Sequence, residues 1–407
     1  MSLARPYIPR VGARPVVGTR LPSDRRRQLW IWWREIDRVL LLLVALLMAL
    51  GWVAVAAASP ASATRLSGSA GTLAELHFFW LHATWQTLGV AVLLAVSMVP
   101  LETARRGAIV LGLAAFAALA LVPFVGTEVN GATRWLDFGF RVQPSEFLKP
   151  VFVVTAAWIL SWRARDPEMP VIPISAGVLA VIVVLIMAQP NLGDAILFVA
   201  AWFVLVLLAG LPLQRVSLFA GAGALLLAAT YILYDNARHR IDSFLGGGTA
   251  YDQVDLARRT LMGGGWTGKG LWLGTEKMRL PEAHTDYIFS VIGEEFGLIT
   301  CAVIVVLYLA IALRVLSRLL DEDRLFIILA GSGLVALFCG QAFINILVNL
   351  QLFPSKGMTL PLVSYGGSST IAQCFLVGLL LAITRRNPYL SREPFALTSS
   401  HVKERRR

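Results

Sequence analysis

Val39–Ala58, VLLLLVALLMALGWVAVAAA, is a run of twenty residues without a charged side chain. As a helix rising 1.5 Å per residue it would be about 30 Å long, the thickness of a bilayer's hydrocarbon core. Similar runs recur at 77–99, 107–125, 146–162, 172–188, 195–211, 216–234, 286–313, 324–349 and 361–383. Their spacing predicts an all-α polytopic membrane protein of about ten transmembrane helices. A composition of 57% hydrophobic and 15% charged residues excludes a water-soluble globular domain. Ala61-Ser62-Ala63 follows the first run as a cleavage site would. The basic leader is too long for a signal peptide and the run is span-length, so it reads as an uncleaved anchor.

Charge supplies the orientation. Residues 1–38 hold nine Arg against Asp24, Glu35 and Asp37, a net of +6, and residues 385–407 hold seven basic against two acidic side chains, a net of +5. These tails carry the whole +11 of the chain. The other basic connections, at Arg105-Arg106, Arg163 with Arg165, Arg215 and 314–324, fall on alternate loops. The positive-inside rule therefore puts both termini in the cytoplasm and 59–76, 126–145, 189–194, 235–285 and 350–360 in the periplasm. The predicted organisation is a basic tail 1–38, a transmembrane domain 39–384 whose one long periplasmic loop, 235–285, joins helices 7 and 8, and a basic tail 385–407. The tails suit anionic lipid headgroups better than nucleic acid, because they flank a lipid-embedded body whose own charges balance to zero. Cys301, Cys339 and Cys374 lie inside apolar runs as packing residues, without metal-ligand spacing. No ATP-binding loop, zinc signature or nucleophile elbow occurs.

Polar chemistry gathers on the periplasmic side in three groups. The first is Leu280-Pro281-Glu282-Ala283-His284-Thr285-Asp286, leading into an apolar run. With Pro281 in a first helical turn, Glu282, Asp286 and Glu294 would share one stripe. A carboxylate at this level is costly unless it faces a cavity or a partner, so Asp286 is either a functional acid or half of an ion pair between helices. The second group is Asn130-Gly131-Ala132-Thr133-Arg134-Trp135 with Gln143-Pro144-Ser145-Glu146-Phe147-Leu148-Lys149. Glu146 and Lys149 share a helix face and favour a plain salt bridge, whereas Arg134, a cation on the disfavoured side, suits a phosphate with its permanently charged fork. The third group runs from Lys356-Gly357 to Ser364-Tyr365-Gly366-Gly367-Ser368-Ser369. There Lys356 is an anion ligand, and the small residues favour close helix packing. Cations of the long loop, Lys269 and Lys277 among them, either pair with acids of that loop or serve a ligand. Gln189-Pro190-Asn191-Leu192-Gly193-Asp194 reads as a turn.

Together these segments resemble the SEDS family (shape, elongation, division, sporulation; the FtsW and RodA group) over roughly residues 36–388. Ala283 and Gly293-Glu294-Glu295 lean to the FtsW, or division, branch, with the RodA branch as the close alternative; Asn191, Tyr287 and Leu362 depart from the usual pattern. The resemblance implies a peptidoglycan glycosyltransferase that polymerises lipid II into β-1,4 glycan strands with inversion, expelling undecaprenyl pyrophosphate, in septal wall synthesis. The family's catalytic aspartate falls on Asp286, and the candidate substrate-binding set is Arg134, Glu146, Lys149, Glu282, His284, Lys356, Ser364, Gly366, Gly367 and Ser368. The implied location is the bacterial inner membrane at the division septum, and the implied partners are a class B penicillin-binding protein and other division proteins. A divalent cation, magnesium or manganese, is the one cofactor admitted. Two other classes compete: a lipid II flippase, which would use the same intramembrane charges, and a scaffold for the transpeptidase, in which Asp286→Asn would be harmless.

Overall fold

The computed structural model describes residues 25–67, 72–129, 132–210, 253–354 and 357–386, with scattered positions between 221 and 246. Of the described residues, Arg25–Glu35 fall in one unit and Ile36–Arg386 form a second, compact one. Within the first, helix α1 (Arg25–Glu35) places the Arg34 guanidinium over the Trp30 ring, 4.4 Å from its centroid.

The body consists of α2 (Arg38–Leu66), α3 (His77–Met98), α4 (Leu101–Val125), α5 (Pro144–Ser161), α6 (Val171–Met187), α7 (Leu192–Leu208), α8 (Gln253–Gly263), α9 (Ile288–Leu319), α10 (Leu325–Asn349) and α11 (Gly367–Ile383). Six of these, α2, α3, α4, α5 with the short turn after it, α9 and α10, are long and apolar enough to cross a membrane, while α6, α7 and α11 are shorter apolar helices. Each predicted span meets one of these helices except 216–234, which lies outside the described residues apart from isolated positions. The first run continues through Pro60 to Leu66. It belongs to the bundle, because Gly51 sits where a Cβ would come within 2.7 Å of the Leu362 carbonyl.

One segment departs from the all-helical expectation. Strands β1 (Thr127–Val129), β2 (Ala132–Asp137) and β3 (Arg141–Val142) form a small antiparallel sheet in the order β1-β2-β3, with Thr127 opposite Trp135 and Leu136 opposite Val142. Thr133 and Trp135 suit a pleated surface, and Gly139 (φ +87°) allows the tight reversal between β2 and β3.

At one end of the bundle Asp37 caps α2, accepting the N–H groups of Val39 and Leu40 at 3.1 Å. It also receives Arg314 and Arg318 of α9, each at 2.9 Å. Burial works to raise its pKa, but the hydrogen bonds from Arg314, Leu40 and Arg318 outweigh it and hold the carboxyl below the usual range. This clasp therefore contributes stability above the ordinary carboxylate pKa and loses it only in stronger acid.

At the other end α9 is broken at Gly297, whose φ of +80° no helical residue adopts. The break leaves backbone groups that a continuous helix would have paired. Residues 264–270 supply the partners. Lys269 and Gly270 N–H donate to the Glu294 and Glu295 carbonyls, each at 2.9 Å, and Leu298 and Ile299 N–H donate to the Gly265 and Trp266 carbonyls at 3.0 and 3.2 Å. A Cβ on Gly297 would collide with the Trp266 carbonyl. Gly297→Ala is expected to destabilise the protein by about 1–3 kcal/mol through this collision and the left-handed backbone. The check is the thermal unfolding midpoint in detergent, with Gly177→Ala, which meets nothing within 4 Å, as the control.

Candidate active site

Residues 281–287 form successive turns and α9 starts only at Ile288, so the predicted stripe of Glu282, Asp286 and Glu294 does not exist. The turn is set by Glu282, at φ +51°, whose carbonyl accepts the N–H groups of Thr285 and Tyr287 and whose carboxylate accepts the Thr285 hydroxyl at 2.8 Å. Glu294 faces another way: its carboxylate accepts the N–H groups of Thr275, Glu276 and Lys277 and pairs with Lys269 at 2.9 Å. Glu295 pairs with Lys277 at 2.6 Å. These loop cations are thus matched by helix acids rather than by acids of their own loop.

Asp286 is half-buried. Its carbonyl accepts the Asn345 and Asn349 side-chain amides at 2.8 and 3.2 Å. Its carboxylate borders Gly357, where a Cβ would lie 3.1 Å from Oδ2. His284 is buried between the rings of Phe78 and Tyr365, at centroid distances of 4.2 and 5.4 Å, and its carbonyl accepts the Tyr365 N–H at 2.9 Å. Burial pushes its pKa from 6.5 down to about 4, so the imidazole is neutral near pH 7. Because the unfolded chain binds this proton more readily, stability is lost progressively as pH falls from 6.5 towards about 4. His284→Phe, which keeps the ring, is expected to shallow the fall of the thermal midpoint over that window.

Behind the turn lies a charge cluster. Lys149 of α5 is 1% exposed and contacts Glu146 at 2.6 Å and Asp194 of α7 at 2.8 Å. Asp194 also accepts the Ser145 hydroxyl at 2.6 Å and the amides of Asn191 and Gln143 at 2.7 and 3.3 Å. The sequence pairs Glu146 with Lys149 correctly and gives Asp194 too little weight. Arg134 of β2 donates to the Gln189 carbonyl at 3.2 Å and to the Pro190 carbonyl, across the turn that carries Asn191 and Asp194.

Helix α10 joins the two regions. Gln341, Asn345 and Asn349, four residues apart, point one polar stripe at them. Gln341 donates to the Thr359 carbonyl at 3.0 Å and accepts from Lys149 at 3.4 Å, while Asn345 donates to both the Met358 and Asp286 carbonyls. Residues 357–360 are thereby held between Asp286 and the charge cluster. The start of α11 closes the arrangement. Ser369 donates to Glu146 at 3.3 Å, and Ser368 accepts the Gln143 N–H at 3.2 Å. Ser364 accepts the Leu360 N–H at 2.8 Å, Gly366 precedes the helix, and Gly367 packs on the Trp85 ring. Lys356 lies outside the described residues. The amide stripe of α10 escaped the sequence reading, although amides at a spacing of four in an apolar run are its visible signal. Among the described residues, no group of three or more His, Cys, Asp and Glu side chains could hold a metal ion.

Residues 37–389 match the cell cycle protein family of FtsW, RodA and SpoVE. The chain belongs to this family. Among its relatives, a protein of Caulobacter vibrioides named "Probable peptidoglycan glycosyltransferase FtsW" is 36% identical over 365 residues, covering 89% of this chain and 93% of that one. One of the same name from Halorhodospira halophila is 35% identical over 363 residues, covering 86% and 90%. A chain solved under "Structural coordination of polymerization and crosslinking by a peptidoglycan synthase complex" superposes with a TM-score of 0.70 at 28% identity, covering 86% of this chain and 97% of that one. The rod shape determining protein RodA of Thermus thermophilus gives 0.62 at 28% identity, with the same coverage. The family read from the motifs is therefore correct, and the chain has the polytopic membrane fold that RodA shares.

Proposed function

We propose that this member of the family is an FtsW-type peptidoglycan glycosyltransferase that polymerises lipid II at the periplasmic face during septal wall synthesis. The observation that carries the reading is the α10 amide stripe, which fixes Asp286 through its backbone and ties it to residues 358–359 and the Lys149 cluster. The relatives named as FtsW support the substrate class. In the proposed topology about ten helices span the inner membrane, both tails are cytoplasmic, and 235–285 is periplasmic. Asn345 lies about 30 Å along α10 from Leu325, so Asp286 sits at the far boundary of the hydrocarbon from the cytoplasmic charges.

The Asp286 carboxylate removes the proton from the acceptor sugar's 4-hydroxyl as its oxygen attacks the donor's anomeric carbon, and the undecaprenyl pyrophosphate leaves with the bonding pair. An α-linked donor and a β-1,4 product require one inverting displacement, with no sugar held covalently on the protein. Arg134 and Lys356 offset the charge of the departing diphosphate. Lys149, buried and matched by two carboxylates, instead holds α5 against α7. Glu282 shapes the turn, and His284 packs it. A divalent cation, magnesium or manganese, enters only as a companion of the substrate's phosphates, a common arrangement for magnesium, and no cage of protein side chains is assigned to it. A class B penicillin-binding protein and other division proteins are the proposed partners, a reading supported by the likeness to a chain of a peptidoglycan synthase complex.

The deciding assay uses purified protein, lipid II and a cognate class B partner, with and without divalent cation, and reads glycan length. Polymer formation is expected. Accelerated movement of lipid II across vesicles without polymer would favour a flippase, for which the buried Glu146–Lys149–Asp194 cluster would also serve.

A further inference from the structure

Trp266, Leu271, Trp272, Leu273 and Met278, between α8 and the Asp286 turn, are all exposed, Trp266 at 74% and Leu273 at 67%. Such a patch calls for a cover. The segment itself is firmly seated. The Trp272 indole N–H donates to the Ala56 carbonyl of α2 at 3.0 Å, Lys277 donates to the Ala57 carbonyl at 2.8 Å, and Arg65 donates to the Arg279 carbonyl at 2.9 Å. Residues 264–270 are stitched into the α9 break.

Two helices measure its depth from the Asp37 clasp, which both share. Ala56 is about 27 Å along α2 from Arg38, and Gly297 is about 26 Å along α9 from Arg314, at 1.5 Å per residue. A hydrocarbon core is about 30 Å thick, so both helices put this segment at the boundary opposite the clasp, the level at which indole rings concentrate in membrane proteins. Exposed Arg258 and Arg259 are close in sequence, as headgroup contacts would be.

We propose that residues 266–273 are an interfacial membrane anchor, with Trp266, Leu271, Trp272 and Leu273 entering the headgroup and acyl boundary of the leaflet on that side. Lipid is favoured over a protein partner because α2 and α9, themselves spanning helices, fix the patch at bilayer depth. The same segment runs into the turn that bears Asp286, so the anchor also sets the height of that carboxylate; this consequence rests on the proposed reaction, whereas the anchor does not.

The test places a small fluorophore on Leu273→Cys in the full chain, reconstituted in phosphatidylethanolamine and phosphatidylglycerol vesicles, with the unsubstituted protein as the labelling blank. Quenching by lipids carrying a nitroxide near the headgroup is expected, together with iodide quenching at least about threefold weaker than for the same label at the exposed Asp137. Iodide quenching equal to that at Asp137, without lipid quenching, would overturn the proposal. So would accessibility lost only when a class B partner is added, which would assign the patch to protein. Leu271→Cys carries the same measurement if the first variant does not fold.

Discussion

Asp286→Asn should cut glycan polymerisation by about 10²–10⁴-fold, the usual worth of a positioned general base. The substitution is nearly isosteric, and it leaves in place the backbone carbonyl that accepts the Asn345 and Asn349 amides. The turn should therefore survive. Since the proton moves only in the transition state, kcat should fall while KM changes little. Activity within about threefold of the original chain would remove Asp286 as the base. A fall in KM together with kcat would show instead that the carboxylate strains the bound acceptor.

Lys149→Met should be the most damaging change to stability. It leaves Glu146 and Asp194 buried without their shared cation, and removing one member of a buried ion cluster costs about 3–5 kcal/mol. The expected result is a large drop in folded yield and thermal midpoint. Adding Glu146→Gln and Asp194→Asn should restore much of the loss, because no buried charge is then left unmatched. A single variant with an unchanged midpoint but a raised KM would show that Lys149 faces the substrate after all.

The spans were legible because a long apolar run has few other uses. Pro281 suggests a first helical turn, but it suits a plain turn as well, and residues 281–287 are turns that precede the helix at Ile288. The decision came from Glu282's left-handed backbone and from amides on α10 some sixty residues away, neither of which local sequence expresses. Asp194 was hidden because Pro190, Asn191 and Gly193 already account for a turn, and nothing local says that its carboxylate reaches Lys149 of another helix. Lys269 and Lys277 looked for acids in their own loop. The break at Gly297 instead brings that loop against Glu294 and Glu295.

That break also bears on the order in which the molecule is assembled. Synthesis runs from the N-terminus, so α2 is in place before residues 264–279 are made, whereas α9 follows them. The loop can meet the Ala56 and Ala57 carbonyls early, but the groups that complete it, on Glu294, Glu295, Leu298 and Ile299, arrive later. A nascent chain that stops short of α9 would lack more than one crossing. It would leave the stretch leading to Asp286 half-fastened, so the Asp286 end of this protein is finished only when a helix downstream of it has been threaded.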